Sequence, residues 1–287
     1  VTPIVLCHVL FVMLYFILAE QVGNKLKNIA ENSSVMIMGA SEMTKVSPEY
    51  FNYNVYNIAT PGEHYYFTFS KLQKLVANQN SKIELVLLGV SVHNFSPMFV
   101  NHFNLDAPEG QASLRRYLLF LDLFDNEFIS PFSIILNKEF FLGLILGPEW
   151  GGFKVSDNAD PDSLAIEGRA EGIFGGDFVD SLQYAPKQEY YLHKIVELCK
   201  SHTIDLVFVS TPVHSHFKSQ VDQVYFEKLK NTIGRYPALS YLNYLNDSIP
   251  GSFLEDPNHL NSVGSEIYSK KINSYLINNK QTPPIRN

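Results

Sequence analysis

The chain has 287 residues, of which 46% are hydrophobic and 18% charged, and its 22 Lys and Arg against 29 Asp and Glu give a formal net charge of -7. That is long and apolar enough to bury one large core, which excludes a disordered or fibrous chain, and an acidic balance without a basic run argues against nucleic acid as a partner. The 2 cysteines, Cys7 and Cys199, cannot build a disulfide framework or a cysteine-rich zinc site.

Val1 to Ala19 carries no Asp, Glu, Lys or Arg. As a helix rising ~1.5 Å per residue it would nearly cross a ~30 Å hydrocarbon core. Residues 1–19 are therefore read as a transmembrane anchor and residues 20–33, with Lys25 and Lys27, as a juxtamembrane linker. On this reading, removal of the chain through about Lys27 leaves a folded domain. A cleaved signal peptide and a buried core helix are the alternatives, and Ile17 two positions before Ala19 makes a poor cleavage pattern.

Ser34 to Ser41 is a short apolar run ending in Gly and small residues, the pattern of a buried parallel strand and its following turn. Asn54 to Ala59 is a second strand, His64 to Asn78 a helix, and Ile83 to Val90 a strongly apolar third strand. A helix at Lys187 to His202, a strand at Asp205 to Ser210, a helix near Ser219 to Ile233, a strand near Ser240 to Leu245 and a helix at Asn261 to Ile277 follow. Alternation of this kind predicts an α/β three-layer sandwich on a mostly parallel sheet of flavodoxin-like type, with its ligand crevice at the carboxyl ends of the strands. The α/β domain comprises residues 34–94 and 187–287, and residues 95–186, too long for a structureless loop, form an inserted lid or subdomain. Within it, Leu118 to Leu146 is apolar but carries Asp122, Asp125, Glu127, Lys138 and Glu139, which argues against a second membrane span. That stretch reads either as helices packed on the sheet or as an amphipathic lid or docking face. Gly147 to Gly176, rich in Gly, Asp and Pro, is expected to be loops.

Two segments carry candidate chemistry. Gly39-Ala40-Ser41-Glu42 places a serine at the carboxyl edge of the first strand, where free backbone amides can bind an oxyanion. It lacks the further glycines of a dinucleotide-binding turn, so no such cofactor is expected. Phe253 to Asn261 sets Asp256 three residues before His259 around Pro257, so the carboxylate can orient an imidazole that accepts a serine proton. The plainer reading of this segment is a turn followed by a helix cap at Asn261 or Ser262. His214 and His216 follow the fourth strand without an acidic or thiol partner nearby, so they read as loop surface or substrate contacts, and no metal site is expected. His64 reads as a surface or packing residue at a helix start.

A serine after the first strand and an Asp-x-x-His before the last helix resemble the SGNH, or GDSL-like, hydrolase superfamily, over about Ser34 to Ile277. The resemblance implies Ser41 as nucleophile and Asp256 and His259 as acid and base. Asn57-Ile-Ala-Thr-Pro-Gly62 resembles the family's second block, which implies Gly62 as a backbone oxyanion donor. In the third block Asn94 is the implied side-chain donor, although its spacing from Gly89 differs from the usual Gly-x-Asn and Ser91 or His93 can face the site instead. Gly39-Ala40-Ser41 replaces the common Gly-Asp-Ser, and with Glu42 it is more similar to the membrane-anchored branch of DltD and the alginate acetylation proteins. The resemblance thus implies an anchored extracytoplasmic serine esterase or O-acyltransferase, O-acetyl in the first instance, for a cell-surface polysaccharide or related polymer. The resemblance further implies work without a cofactor, in the periplasm or at the cell surface, with a multi-spanning membrane O-acyltransferase as a partner. A noncatalytic polymer-binding or scaffold subunit of the same fold is the alternative.

Overall fold

The computed structural model describes residues 2–96, 98–99, 102, 105–122, 130–157, 163–175 and 186–279. Five strands, β1 (Val35–Met38), β2 (Val55–Asn57), β3 (Leu85–Gly89), β4 (Asp205–Ser210) and β5 (Ser240–Asn243), form one sheet in the order β2-β1-β3-β4-β5. All of its pairings are parallel. The order of strand addition reverses between β1 and β3, so their carboxyl ends open a crevice there.

Side chains alternate between the two faces of the sheet. Met36, Met38, Val86, Leu88 and Phe208 face one core, shared with helices α1 (Thr2–Asn32), α2 (Tyr65–Val76) and α7 (Pro186–Ser201). Val35, Ile37, Leu85, Leu87, Val207 and Val209 face the other, which Ile272 and Leu276 of α10 (Ser262–Asn278) close. Each such aliphatic side chain contributes ~1.5–3 kcal/mol by leaving water, so period-2 alternation fixes both the register and the three layers.

The strands and helices expected from residue 34 onward are present, with two refinements. The helix expected near Ser219 to Ile233 is two helices, α8 (Ser215–Gln220) and α9 (Gln223–Ile233), because the Asp222 carboxylate accepts from the Val224 amide at 2.9 Å and starts the second anew. The segment carrying Asp256 and His259, expected as a loop, is a tight antiparallel hairpin of β6 (Leu254–Asp256) and β7 (His259–Leu260) in which those two residues pair directly.

Residues 20–32, expected as most of a linker, are the lower half of α1. Val22, Leu26, Ile29 and Ala30 repeat at helical spacing and are buried in the main core beside α2. The Ala30 carbonyl accepts from Lys82 N at 2.8 Å, which fixes the end of the helix to the approach to β3. Even Tyr15, within the charge-free stretch, is buried and donates its hydroxyl to the Leu121 carbonyl at 2.8 Å. Removal through Lys27 would strip Val22 and Leu26 from the core.

Among the described residues, four α-helices arise between β3 and α7: α3 (Pro108–Tyr117), α4 (Pro131–Ile135), α5 (Lys138–Leu146) and α6 (Ser163–Phe174). Tyr117, Leu118, Phe120 and Phe140 from this region join the main core, so the insertion shares the hydrophobic interior of the sheet domain. Gly143 lets α5 lie close to the end of α3, since a Cβ there would stand 3.0 Å from the Leu118 side chain and 3.1 Å from the Arg115 carbonyl. Gly147 to Gly176 contains a helix as well as loops. In α6, Ile166, Ala170, Ile173 and Phe174 form a buried stripe that outweighs its two helix-weakening glycines. The part of this stretch expected as loops that lies at 158–162 falls outside the described residues, as do Asp125 and Glu127.

Candidate active site

β1 is followed by Gly39, whose φ of +123° lets the chain turn sharply, and a Cβ there would meet the Gly89 backbone nitrogen at 3.0 Å. Gly89 is equally constrained: its Cβ would overlap Met43 Cγ at 2.3 Å and Glu42 Oε1 at 2.7 Å. The two glycines bring the ends of β1 and β3 together and leave room for Glu42 beneath the turn. Ser41 sits at that turn, with its carbonyl accepting from Thr44 N at 3.2 Å and Thr44 Oγ1 at 2.6 Å.

From the far end of the chain the β6–β7 hairpin brings the other two residues to the same edge. His259 Nε2 lies 2.7 Å from Ser41 Oγ, and His259 Nδ1 lies 2.7 Å from Asp256 Oδ2. An ionised carboxylate only accepts, so Nδ1 carries the proton it donates to Asp256 and Nε2 is left as the acceptor facing the serine hydroxyl. Burial raises the Asp256 carboxyl, but the hydrogen bond and charge of His259, the Asn258 amide and Arg169 together bring it below its ordinary value. Asn261 caps α10, as its position after the hairpin predicts, by accepting from Gly264 N at 3.1 Å.

Ser41 and His259 line a cavity of about 300 Å³ together with Gly62, His93, Phe99, Arg169 and Ile173. Gly62, with a φ of +67°, lies on the wall of the cavity. The segment holding it is clamped from below. Lys71, fully buried, reaches Thr60 Oγ1 at 2.8 Å and pairs with the equally buried Glu63, while Arg116 donates to the Pro61 carbonyl at 2.8 Å. A wider groove of about 780 Å³ between α8, α9 and β5 contains none of the three converging residues.

In the third block the alternative residue, His93, lines the cavity in place of Asn94. Asn94 is fully buried behind the cavity, its Oδ1 accepting from Ser91 N at 2.6 Å and Tyr65 Oη at 3.2 Å. It is His93 that faces the cavity, because the turn Val92–Phe95 is a 3-10 helix capped by Ser91 and Asn94, which rotates residue 93 to the site. His93 Nδ1 stands 2.9 Å from Ser91 Oγ and its Nε2 stands 3.0 Å from Glu42 Oε2. Burial pushes the Glu42 carboxyl up, but the charge and hydrogen bond of His93 outweigh it, so Glu42 lies below its ordinary value. The Asn94 Nδ2 atom is buried with no hydrogen-bond partner among the described residues.

Sequence reasoning missed three supports of the site. The Glu42–His93 pair is one, and Lys71–Glu63 is another. The third is Arg169 on α6, whose Nε donates to Asn258 Oδ1 at 2.9 Å, while Asn258 Nδ2 stands 3.3 Å from His259 Nε2. None has a local motif, since each joins segments that only the fold brings together. Glu255, Asp256 and His259 offer possible metal-ligand atoms within 4.8 Å of one another. Those atoms are already spent: Glu255 on Lys45 at 2.5 Å and Ser156 N at 2.7 Å, Asp256 on His259, and His259 on both Asp256 and Ser41. His214 caps α8 by accepting from His216 N at 3.2 Å, and His216 lies 3.6 Å from Glu167. His64 caps α2 by accepting from Tyr66 N at 3.0 Å, and burial, helped by His102 and Lys187, pushes it well below its ordinary value, so it is a neutral structural imidazole.

Among known proteins, no family model and no curated protein matches the chain. Among solved structures it is similar to a candidate acylhydrolase from Bacteroides fragilis NCTC 9343, with 14% identity over 86% of this chain and 88% of that one and a TM-score of 0.40.

Proposed function

We propose that the protein is a serine-dependent esterase or O-acyltransferase, attached to a membrane by α1 and working on acyl groups of a cell-surface polysaccharide or related polymer outside the cytoplasm. The observation that carries this reading is the unbroken relay from Asp256 through His259 to Ser41, with both links at 2.7 Å. His259 Nε2 takes the hydroxyl proton as Ser41 Oγ bonds to the acyl carbon, and Asp256 stabilises the imidazolium that forms. The carbonyl electrons move onto oxygen, and backbone amides near Ser41 and Gly62 meet the resulting oxyanion. Collapse returns those electrons, breaks the ester bond, and passes the His259 proton to the departing alcohol. Water or a sugar hydroxyl then attacks the acyl-serine by the same steps in reverse.

A cavity of about 300 Å³ walled by Phe99 and Ile173 suits a short acyl group such as acetyl. Membrane attachment is supported by the one helix, among the described residues, that is long and apolar enough to cross a bilayer. A multi-spanning membrane acyltransferase would be the natural source of acyl groups for such a tethered domain. The test is release or transfer of acetyl from O-acetylated polysaccharide fragments by the purified full chain, followed by mass spectrometry. Acetyl loss or transfer that vanishes in Ser41→Ala supports the proposal, whereas equal activity in Ser41→Ala removes the serine from the reaction.

A further inference from the structure

Most of the large hydrophobic side chains that the fold leaves exposed lie on two elements. Leu6, Val9, Leu10, Met13, Leu14, Phe16 and Ile17 are on α1, and Leu136, Leu142, Ile145 and Leu146 are on or just before α5. The second group is far from marginal, since Leu136 is 68% exposed, Ile145 70% and Leu146 68%. Residues 142, 145 and 146 fall on one face of α5 at i, i+3 and i+4, while Phe140 and Leu144 on the opposite side are buried in the core. The two exposed groups adjoin one another in space. The Phe141 ring packs edge-on against Phe11 at 4.7 Å and His8 at 5.6 Å.

Those contacts fix the depth of α5. Phe11 precedes Glu20, the first charged residue of α1, by nine positions, which is roughly 14 Å of helix. Whatever is bound to the side of α1 at His8 and Phe11 lies at the same level as the charge-free stretch itself. We infer that α5, with Leu136, is a second membrane-inserted element: a short helix that does not span, lying in the hydrocarbon against α1 with Leu142, Ile145 and Leu146 turned to lipid acyl chains. This rests on the membrane attachment of α1 proposed above.

The chemistry of α5 suits that position. At nine residues, or about 14 Å, it is too short to cross, so charges elsewhere in the surrounding sequence do not oppose it. Its one carboxylate, Glu139, is buried and turned inward to Arg115 on α3 at 3.4 Å, away from the apolar face. Lys138 stands at the helix start, where a long side chain can reach the headgroups. Backbone demands are met internally, with Asn137 Oδ1 accepting from Glu139 N at 2.9 Å and Gly147 N donating to the Gly143 carbonyl at 3.0 Å. Trp150, beside Lys25 at 3.7 Å, supplies the aromatic and cationic pair that favours a membrane interface. An apolar surface of this extent left to water would be an aggregation liability.

The test places a bimane probe on the full chain in phosphatidylcholine vesicles, in a Cys7→Ser background with the buried Cys199 left in place. Single variants Leu10→Cys, Ile145→Cys and Ile277→Cys report on α1, on α5 and on α10 across the sheet. Doxyl-labelled phosphatidylcholine should remove more than half of the emission at positions 10 and 145 and leave position 277 bright. Quenching at 10 with none at 145 overturns the inference and leaves the anchor reading intact, whether water or protein covers α5. Absence of quenching at both positions overturns the anchor reading and the inference with it.

Discussion

Ser41 Oγ and His259 Nε2 stand 2.7 Å apart although 218 positions separate them in the chain. Parallel α/β sheets make such meetings routine, because every strand delivers its following loop to the same edge. Ser41→Ala removes the attacking oxygen while keeping a small side chain on the turn, so melting temperature should move little and ester turnover should fall by orders of magnitude. His259→Ala should do similar damage, and the double variant should be no slower than the worse single one, since both serve one step. Rates on nitrophenyl acetate and thermal melts of the three variants decide this.

Acid should weaken the fold through Asp256 and Glu42. Both carboxyls lie below their ordinary values in the folded protein, so the unfolded chain binds their protons more readily. Their stabilisation is present in full above the unfolded values near ~4 and is lost as pH falls through the lower folded ones. Melting temperature should therefore fall progressively as pH drops below about 5, and Glu42→Gln should flatten part of that slope. A slope unchanged by the substitution would detach Glu42 from the acid response.

Lys71 and Glu63 are both fully buried, and they hold the segment that carries Gly62. Lys71→Met leaves Glu63 charged and unpaired in the interior, which should cost ~3–5 kcal/mol. Lys71→Met with Glu63→Met should recover much of that stability, because both charges leave together. Denaturant unfolding of the singles and the double measures the difference.

Gly168 and Gly172 line the cavity from α6, and a Cβ at either meets nothing within 4 Å. Gly172→Leu should raise stability by up to ~1 kcal/mol through helix propensity while filling the acyl side of the site. Turnover of butyryl esters should fall more than turnover of acetyl esters. Equal losses on both would place the residue away from the acyl group.

The sheet was legible because Val35 to Met38, Leu85 to Gly89 and Asp205 to Ser210 are short, mostly apolar runs that end at or just before small residues, and that pattern depends on few neighbours. Ser41, Asp256 and His259 were legible as two local motifs whose meeting followed from topology. The lower half of α1 was not, because its charges suggested a linker, whereas only every third or fourth residue, Val22, Leu26 and Ile29, needed to be apolar to dock on α2. The placement of His93 instead of Asn94 at the cavity depended on one 3-10 turn, which shifts side-chain direction without leaving a mark in composition. Glu63–Lys71 and Arg169–Asn258 join elements from distant parts of the chain, so no window of sequence contains them.

The most direct measurement of the central claim is intact-mass analysis of the full chain after exposure to a fluorophosphonate, with peptide mapping of the product. One adduct on Ser41 is expected in the wild type, and its absence in both Ser41→Ala and His259→Ala is expected because the unassisted hydroxyl is a poor nucleophile near neutral pH. A folded wild-type protein that takes no label, or one labelled at another residue, would contradict the account of Ser41 as an activated nucleophile.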